Sequence, residues 1–318
     1  IEKYYYDASL GKFPERLKPI SHRPDLTDLD GVTFNQIFEY ITSLNLDIYT
    51  PLKYVLPSRI EKYVDLSSAS GRSWANRETG RNILMTINLL KRLESSVYAF
   101  RLTAQHIYDL IDSTIDNIHS FEQGRGNAFE IDEIDSNDLD AEDAETDYVG
   151  KKFKVSLEDI DYVSWLDKLE KDKAILNELL TLVAPVIEDH DLKLKKLLEV
   201  LDNKISSPIN DSNRKVLVFT AFADTAYYLY NALSDKLYAN YGVHSAVVTG
   251  AKNPSTTLEN VHADFNEILT CFSPKSKNRD ALFDKNPGEI DILIATDCIS
   301  EGQNLQDCDY LINYDIHW

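Results

Sequence analysis

The carboxyl-terminal third of the sequence alternates short apolar runs with stretches of helical periodicity. The first run is Val216–Phe219, and the segments HSAVVTG, IDILIATD and YLINYD supply three more. Helical patterns in ADTAYYLYNALSDKLY and TTLENVHADFNEIL, and a polar loop in FSPKSKNRDALFDKNPGE, separate these runs. Apolar strands that alternate with helices indicate a parallel sheet covered on both faces. The pattern therefore predicts an α/β region over residues 209–318.

Upstream of residue 209 the apolar residues follow a helical period instead. They recur at helical spacing over residues 34–48, 82–119, 157–183 and 191–201. The second stretch is long enough for one helix or two, and Asp189 or Asp191 can cap the last helix. We expect a mainly α-helical region over residues 34–208.

The first 33 residues combine the triplet Tyr4-Tyr5-Tyr6 with prolines at positions 14, 19 and 24. Prolines at this density favour extended chain over helix. We therefore interpret residues 1–33 as an extended connector. Residue 1 is Ile rather than Met, and we expect the chain to be an internal piece of a longer protein.

The formal net charge of the chain is −20, and half of it lies in one segment. Between Glu122 and Asp147 there are eleven acidic residues and one basic residue, Arg125. Like charges at this density repel and offer little surface to bury, so we interpret residues 122–147 as a solvated acidic loop that serves as a spacer. The acidic total excludes a generic, basic nucleic-acid coat protein but does not decide whether a local site binds nucleic acid.

The composition also excludes several other classes of protein. No apolar run approaches the roughly 20 residues of a membrane-spanning helix, and no signal-peptide pattern opens the chain. Cys271, Cys298 and Cys308, like the seven histidines, show neither disulfide nor metal-site spacing. We expect a cytoplasmic protein without membrane association and without a metal site of its own.

Each predicted strand of the α/β region ends in small or polar residues. These strand ends are Thr220-Ala221, Thr249-Gly250, Ala295-Thr296-Asp297 and Asp315, and Gly302 follows in the loop after the third strand. Ligands of open parallel sheets bind beyond the carboxyl ends of the strands. Short side chains let backbone N–H groups approach an anion closely, so the four strand ends predict an anion-binding edge.

Several of these segments resemble the motifs of superfamily 2 helicases and translocases. KVLVFTAFADTAYYL resembles motif IV, VVTG resembles the strand-end glycine motif, HADFN resembles the helix that follows, and ILIATDCISEGQNLQDCDYLINYDIHW resembles motif V and the next strand. The α/β region thus resembles the second RecA-like lobe of these enzymes, closest to the Swi/Snf-type and bacterial RapA-like members. LLKRLESSVYAFRLT resembles the helical insertion of the bacterial enzymes, and KYYYD with FPERLKPI resembles the exit from the first lobe.

The resemblance implies a motor in which two RecA-like lobes clamp ATP while nucleic acid, here DNA, crosses both. It implies that the strand ends contact backbone phosphates through Thr220, Thr249, Gly250 and Thr296. It further implies that the loop after the third strand forms part of the ATP cleft and couples it to the nucleic acid through Asp297, Glu301, Gly302, Gln303 and Asn304. Contacts to phosphates are independent of sequence, as a translocating motor requires.

The motifs that hydrolyse ATP in this family are missing from the sequence. GKF at Gly11–Phe13 lacks the hydroxyl residue of a phosphate-binding loop, and DEID at Asp132–Asp135 has no apolar strand before it. The chain also ends at Trp318, before the position of motif VI with its arginine. We expect a lobe that is incomplete at its C-terminus and has no catalytic residue of its own. In the parent ATP hydrolase, the missing first lobe of the same polypeptide would bind most of the ATP and Mg²⁺.

Two functions remain open at this point. The first is the motor lobe of an ATP-dependent translocase on double-stranded DNA. The alternative is a non-catalytic, degenerate lobe that binds proteins through its acidic loop. A dinucleotide-binding enzyme is excluded, because TAFADTA after the first strand contains no glycine.

Charged residues on the predicted helices have plainer interpretations. Arg92, Glu94 and Arg101 fit surface ion pairs, although the resemblance favours Arg92 and Glu94 as links between the insertion and the motor. The cluster Lys193–Lys196 is typical of a solvated helix face, with nucleic-acid contact as the alternative.

Overall fold

The computed structural model of the protein describes residues 17–64, 74–124, 129–131, 153–210, 212–283, 286–299 and 303–315. Several sequence predictions lie outside these residues. They concern Gly11–Phe13, Asp132–Asp135, Glu301, Gly302 and most of the acidic segment 122–147.

The first helix, α1 (Phe34–Ser43), begins with a reciprocal cap. The Thr33 hydroxyl accepts a hydrogen bond from the Gln36 backbone at 3.3 Å, and the Gln36 side chain accepts from the Thr33 backbone at 3.0 Å. The predicted helix over 34–48 ends early, because Leu44 is extended and Leu46 adopts φ of +55°.

The long helical stretch forms two helices, α3 (Trp74–Ser95) and α4 (Val97–Glu122), after the single turn α2 (Glu61–Val64). The chain breaks at Ser96, whose backbone is extended at φ −157° and ψ 147°. The Ser96 hydroxyl accepts a hydrogen bond from the Ala99 backbone at 3.0 Å and so caps α4. Of the two arrangements that the sequence left open, the broken one is found.

Two more helices follow, each capped by an aspartate. Helix α5 (Tyr162–Val183) begins at Asp161, whose carboxylate accepts from the Ser164 backbone, while the predicted first residues of this helix form a 3₁₀ turn at Leu157–Asp159. Helix α6 (Leu192–Ser206) is capped by Asp191, which accepts from the Leu194 backbone at 2.9 Å.

Helices α1, α3, α4 and α5 enclose a hydrophobic core of their own. Trp165, Phe100 and Ile107 are fully buried there, and the Trp165 indole N–H donates to the Asp47 carbonyl at 2.9 Å. The mainly α-helical region expected before the α/β region is therefore a packed unit. No helix of the described residues has the length and apolar character needed to cross a membrane.

Five strands form a sheet in the carboxyl-terminal part. Four of them are parallel: β3 (Val216–Phe219), β4 (Ser245–Val248), β6 (Ile292–Ala295) and β7 (Leu311–Asn313). With the short edge strand β5 (Ser255–Thr256), their order in the sheet is β5-β4-β6-β3-β7. Helices α6 and α7 (Ala223–Tyr241) cover one face, and α8 (Phe265–Phe272) covers the other. The prediction of an α/β fold with a parallel, RecA-like sheet is confirmed.

Helix α6 packs with this sheet, although its sequence pattern belongs to the region 34–208. Leu194, Leu197 and Leu201 lie in the same buried cluster as Val218 and Ile294 of the sheet. Burial of the apolar face of an amphipathic helix decides where the helix belongs, and the sequence pattern alone does not say which partner buries it.

Two short strands lie where the sequence predicted none. Within the single helix predicted for TTLENVHADFNEIL, Ser255–Thr256 forms β5, antiparallel to β4, and the helix begins only at Phe265 behind its Asp264 cap. Within the predicted acidic loop, β1 (Phe129–Ile131) pairs with β2 (Phe153–Val155). The prediction of a solvated loop over all of 122–147 is therefore wrong at β1.

The turn after α1 depends on the buried carboxylate of Asp172. This carboxylate accepts hydrogen bonds from the Leu46 backbone at 2.7 Å, the Asn45 backbone at 2.8 Å and the Asn45 side chain at 3.1 Å. Burial raises the pKa of Asp172, and these hydrogen bonds act in the opposite direction. The three donors explain how Leu46 is held at a positive φ.

Replacing Asp172 with Ala should destabilise the protein, because it leaves the buried Leu46 N–H and the two donors of Asn45 without their acceptor. We expect a loss of about 3 kcal/mol in the free energy of unfolding, measured by urea denaturation. Asp167→Ala is the matched control on the same helix, since Asp167 is exposed and forms an ion pair with the exposed Lys171; it should change stability by less than about 0.5 kcal/mol. Equal effects of the two variants would contradict this account.

Candidate nucleic-acid interface

The carboxyl ends of the four parallel strands lie side by side at one edge of the sheet. The Thr220 backbone donates to the Ala295 carbonyl at 3.1 Å, and the Thr296 backbone donates to the Val248 carbonyl at 3.3 Å. The Tyr314 backbone donates to the Phe219 carbonyl at 2.7 Å. The residues that follow the strands are therefore arranged across the edge in the order Thr249, Thr296, Thr220, Tyr314. We call this row the strand-tip edge.

The three threonines of the strand-tip edge are buried, whereas Gly250 and Asp297 are exposed. Thr220, Thr249 and Thr296 are 4%, 6% and 5% exposed. The Thr249 hydroxyl accepts a hydrogen bond from the Lys252 backbone at 3.2 Å. The structure thus brings the four predicted contact residues together, and their role at phosphates stays a prediction.

The Asp315 carboxylate occupies the end of the edge formed by β3 and β7. Its Oδ2 accepts hydrogen bonds from the Thr220 hydroxyl at 2.5 Å, the Ala221 backbone at 2.8 Å and the Ser95 hydroxyl at 3.0 Å. Its Oδ1 accepts from Lys193 Nζ at 3.2 Å. A single carboxylate therefore accepts the hydrogen bonds that the β3 tip donates, and it connects this tip to α3 and α6.

Lys193 is the partner that neutralises Asp315. Its ammonium group also donates to the backbone carbonyls of Glu94 at 2.6 Å and Ser95 at 2.9 Å, and lies 4.1 Å from the centre of the Tyr314 ring. Burial lowers the pKa of Lys193, which Asp315 counteracts. The prediction of a solvated Lys193–Lys196 face is wrong for Lys193.

The other two lysines of that cluster make ion pairs at the protein surface. Lys195 Nζ lies 2.8 Å from Asp28, and Lys196 Nζ lies 2.8 Å from Glu199. Hydrogen bonds from Lys195 and His190 lower the pKa of Asp28 to about 2.

The junction between α3 and α4 contacts the start of α7. The hydroxyls of Ser95 and Ser96 lie 2.6 Å and 2.8 Å from the Thr225 hydroxyl. Arg92 Nη1 donates to Asp224 Oδ2 at 3.2 Å. The helical region therefore covers the β3 and β7 tips.

Arg92 is 5% exposed and does not form the surface ion pair that its sequence context suggested. Its guanidinium lies 4.8 Å from the centre of the Phe222 ring, next to the ion pair with Asp224. The expectation that Arg92 links the helical region to the lobe is confirmed. Glu94 contributes to this link through its backbone carbonyl, which accepts from Lys193.

Asp224 is shared between Arg92 and Lys252. Lys252 Nζ donates to Asp224 Oδ1 at 2.8 Å, so each carboxylate oxygen receives one cation. Burial opposes ionisation of Asp224, but the charges and hydrogen bonds of Lys252 and Arg92 outweigh it and lower the pKa of Asp224. The sequence pattern did not single out Asp224 or Lys252. The one feature of the sequence that could have identified them is their position, a few residues after the strands β3 and β4.

The segment after β6 is held by the turn at residues 273–279. The Asp307 carboxylate accepts from the Lys275 backbone at 2.7 Å and from the Ser276 backbone at 3.0 Å. Lys277 Nζ donates to the Gln303 amide oxygen at 2.9 Å, and the Asn304 amide donates to the Ser276 carbonyl at 3.3 Å. Both predicted coupling amides thus contact this turn, while Asp297 is exposed at the start of a 3₁₀ turn.

The cysteines and acidic residues described here supply no metal-binding cluster. Within the described ranges, no group of three or more His, Cys, Asp or Glu side chains is arranged to hold an ion. Burial raises the pKa of the Cys271 thiol to about 11 and also raises the pKa of Cys298 and Cys308. Thiols with raised pKa values are poor nucleophiles and metal ligands.

A comparison with known families gives a match in the carboxyl-terminal part. Residues 192–318 match the family model of the helicase conserved C-terminal domain. This part of the chain is therefore similar to the C-terminal domains of helicases. The match begins at the first residue of α6, the helix that packs on the sheet.

Curated proteins and solved structures were compared as well. No curated protein matches the sequence. Among solved structures, the crystal structure of the Pyrococcus furiosus Hef helicase domain is similar, with 14% sequence identity and a TM-score of 0.43. The alignment covers 91% of this chain and 48% of that chain, so the protein spans about half the length of this relative.

Asp315→Ala should destabilise the α/β region, because it leaves the partly buried Lys193 ammonium and the Thr220 and Ala221 donors without their acceptor. Removal of one partner of a buried ion pair typically costs about 3 kcal/mol or more. Urea denaturation measures this loss, with the exposed Asp297→Ala as control, expected within about 0.5 kcal/mol of the parent chain. A loss of less than about 1 kcal/mol for Asp315→Ala would show that water replaces the carboxylate without difficulty.

Proposed function

We propose that the protein is part of an ATP-dependent translocase or helicase and contributes the second motor lobe. The observation that carries the proposal is the region similar to helicase C-terminal domains, whose four parallel strands end together at the strand-tip edge. Open parallel sheets bind their ligands at this edge. The backbone of a nucleic acid would cross it.

Nucleic-acid binding at this edge would be independent of base sequence. The edge exposes Gly250 at the β4 tip, where the lack of a side chain lets a phosphate approach the backbone closely, and this suits contacts to phosphates rather than to bases. Thr220, Thr249 and Thr296 would support these contacts from below the surface, since their side chains are buried. A motor that steps along any sequence requires this kind of contact.

Double-stranded DNA is the substrate that we propose. Support comes from the resemblance of the motif V segment to Swi/Snf-type enzymes, which move along duplexes. We also propose a bacterial origin, because the resemblance extends to the bacterial RapA-like enzymes.

ATP and Mg²⁺ would be bound mainly by a first lobe. The described residues of this chain hold no metal-ligating cluster, and the amides of Gln303 and Asn304 are engaged by the 273–279 turn. These amides fit a role in transmitting movement of the loop after β6 better than a role in holding a cation. The first lobe of the same polypeptide is therefore the partner that the proposal requires.

The purified chain should bind short labelled DNA duplexes weakly and without sequence preference. Fluorescence anisotropy with two duplexes of unrelated sequence should give equal affinities that fall as salt is raised, because phosphate contacts release counterions. An RNA duplex of the same length serves as the comparison for substrate class. A strong preference for one DNA sequence, or no binding at low salt, would contradict the proposal.

The same chain should hydrolyse ATP no faster than background, with or without DNA. The reason is that the sequence contains no Gly-Lys-Ser/Thr phosphate-binding loop. A phosphate-release assay measures the rate, and a chain extended by a first lobe is the positive control. DNA-stimulated hydrolysis by the chain alone would contradict this division of labour.

A further inference from the structure

A basic residue, Lys252, lies near the tip of β4, and it is not among the residues for which the sequence motifs predicted a role. Among the described residues within four positions after each strand of the five-stranded sheet, Lys252 is the one basic residue. We propose that Lys252 binds a phosphate of the nucleic-acid backbone, and that Arg92 of the helical region sets the charge available for this contact. The inference rests on the proposed function and adds two residues to it.

Lys252 is placed at the strand-tip edge by two contacts. Its backbone N–H donates to the Thr249 hydroxyl, and its Nζ donates to Asp224 at 2.8 Å. The side chain remains 51% exposed. An ammonium group has three donors, so it can bind Asp224 and a phosphate oxygen together. The Tyr227 ring, 5.3 Å from Nζ, supports the side chain from one side.

The charge of Lys252 is available because Arg92 neutralises Asp224. The two oxygens of Asp224 accept from Arg92 and Lys252 respectively, so the three groups carry a net charge of +1. Arg92 is buried and lies behind Asp224. It therefore acts as a positioning residue through Asp224, without contact to nucleic acid. Without Arg92, Asp224 would cancel the charge of Lys252.

The remaining charges of the edge keep the affinity modest. Lys193 and Asp315 form a balanced pair, and the exposed Asp297 at the β6 tip opposes a phosphate. The net positive charge of Arg92, Asp224 and Lys252 at the β4 tip is therefore accompanied by one negative charge, Asp297, at the tip of the neighbouring strand β6. Removal of a charge of either sign should change binding measurably.

The test uses charge variants whose expected effects differ in sign. Lys252→Gln should weaken duplex binding about threefold and reduce the slope of log affinity against log salt by about one, equally for all sequences. Asp224→Asn should strengthen binding, because it releases Lys252 from its anion. Arg92→Gln should weaken binding like Lys252→Gln, and Arg92→Lys should restore it.

Lys236→Gln is the matched control. Lys236 is 50% exposed, and its Nζ lies 3.6 Å from Glu188. It lies on α7 twelve residues beyond Asp224, roughly 18 Å along the helix axis and away from the strand-tip edge. Loss of this charge should leave the salt slope unchanged. Thermal melting of every variant verifies folding. Lys252→Gln, at an exposed side chain, and Asp224→Asn, at a partly exposed one, decide the outcome if Arg92→Gln does not fold.

The outcomes separate this inference from the proposed function. If the parent chain binds duplexes and Lys252→Gln binds them equally well with the same slope, the assignment of Lys252 is wrong and the proposed function stands. If Asp224→Asn weakens binding, Asp224 serves to hold Lys252 and the account of available charge is wrong. If the parent chain binds neither DNA nor RNA, both the inference and the proposed function fail.

Discussion

The Asp315 carboxylate determines how the two parts of the protein are joined. It accepts hydrogen bonds from the Thr220 hydroxyl, the Ala221 backbone and Ser95, and it pairs with Lys193. A buried charge is stable only when its partners remain in place. The β3 and β7 tips, the α3–α4 junction and the start of α6 therefore keep one relative arrangement, and the helical region is attached to the α/β region at the strand-tip edge.

This attachment divides the strand-tip edge into two halves. The β3 and β7 tips lie beneath the helical region, where Asp315 and Thr220 satisfy each other. The β4 and β6 tips expose Gly250 and Asp297. In the proposed function, a phosphate chain would approach this second half, beside Lys252. Arg92 and Asp224 connect the helical region to the same half, because these residues form one continuous set of ion pairs with Lys252.

Local patterns predicted the elements well where a single physical rule determines them. The apolar runs form β3, β4, β6 and β7, and Asp191, one of the two residues that the sequence allowed as a cap, caps α6. Elements that depend on distant partners were not predictable. Ser255–Thr256 forms β5 because β4 offers it a free edge, and the helix before Phe265 is shortened accordingly. The early end of α1 depends on Asp172, more than a hundred residues away.

The sequence by itself determined the parallel sheet, the meeting of its polar strand ends and the resemblance to a motor lobe, because periodicity and strand-end chemistry are local properties. Only the tertiary structure decided the electrostatics of the edge. Arg92 and Lys193 have the sequence context of surface charges, yet both are drawn into contact with carboxylates that follow β3 and β7. The physical reason is that the interaction energy of a charge depends on the charges and the solvent around it, and folding brings those neighbours together from distant parts of the chain.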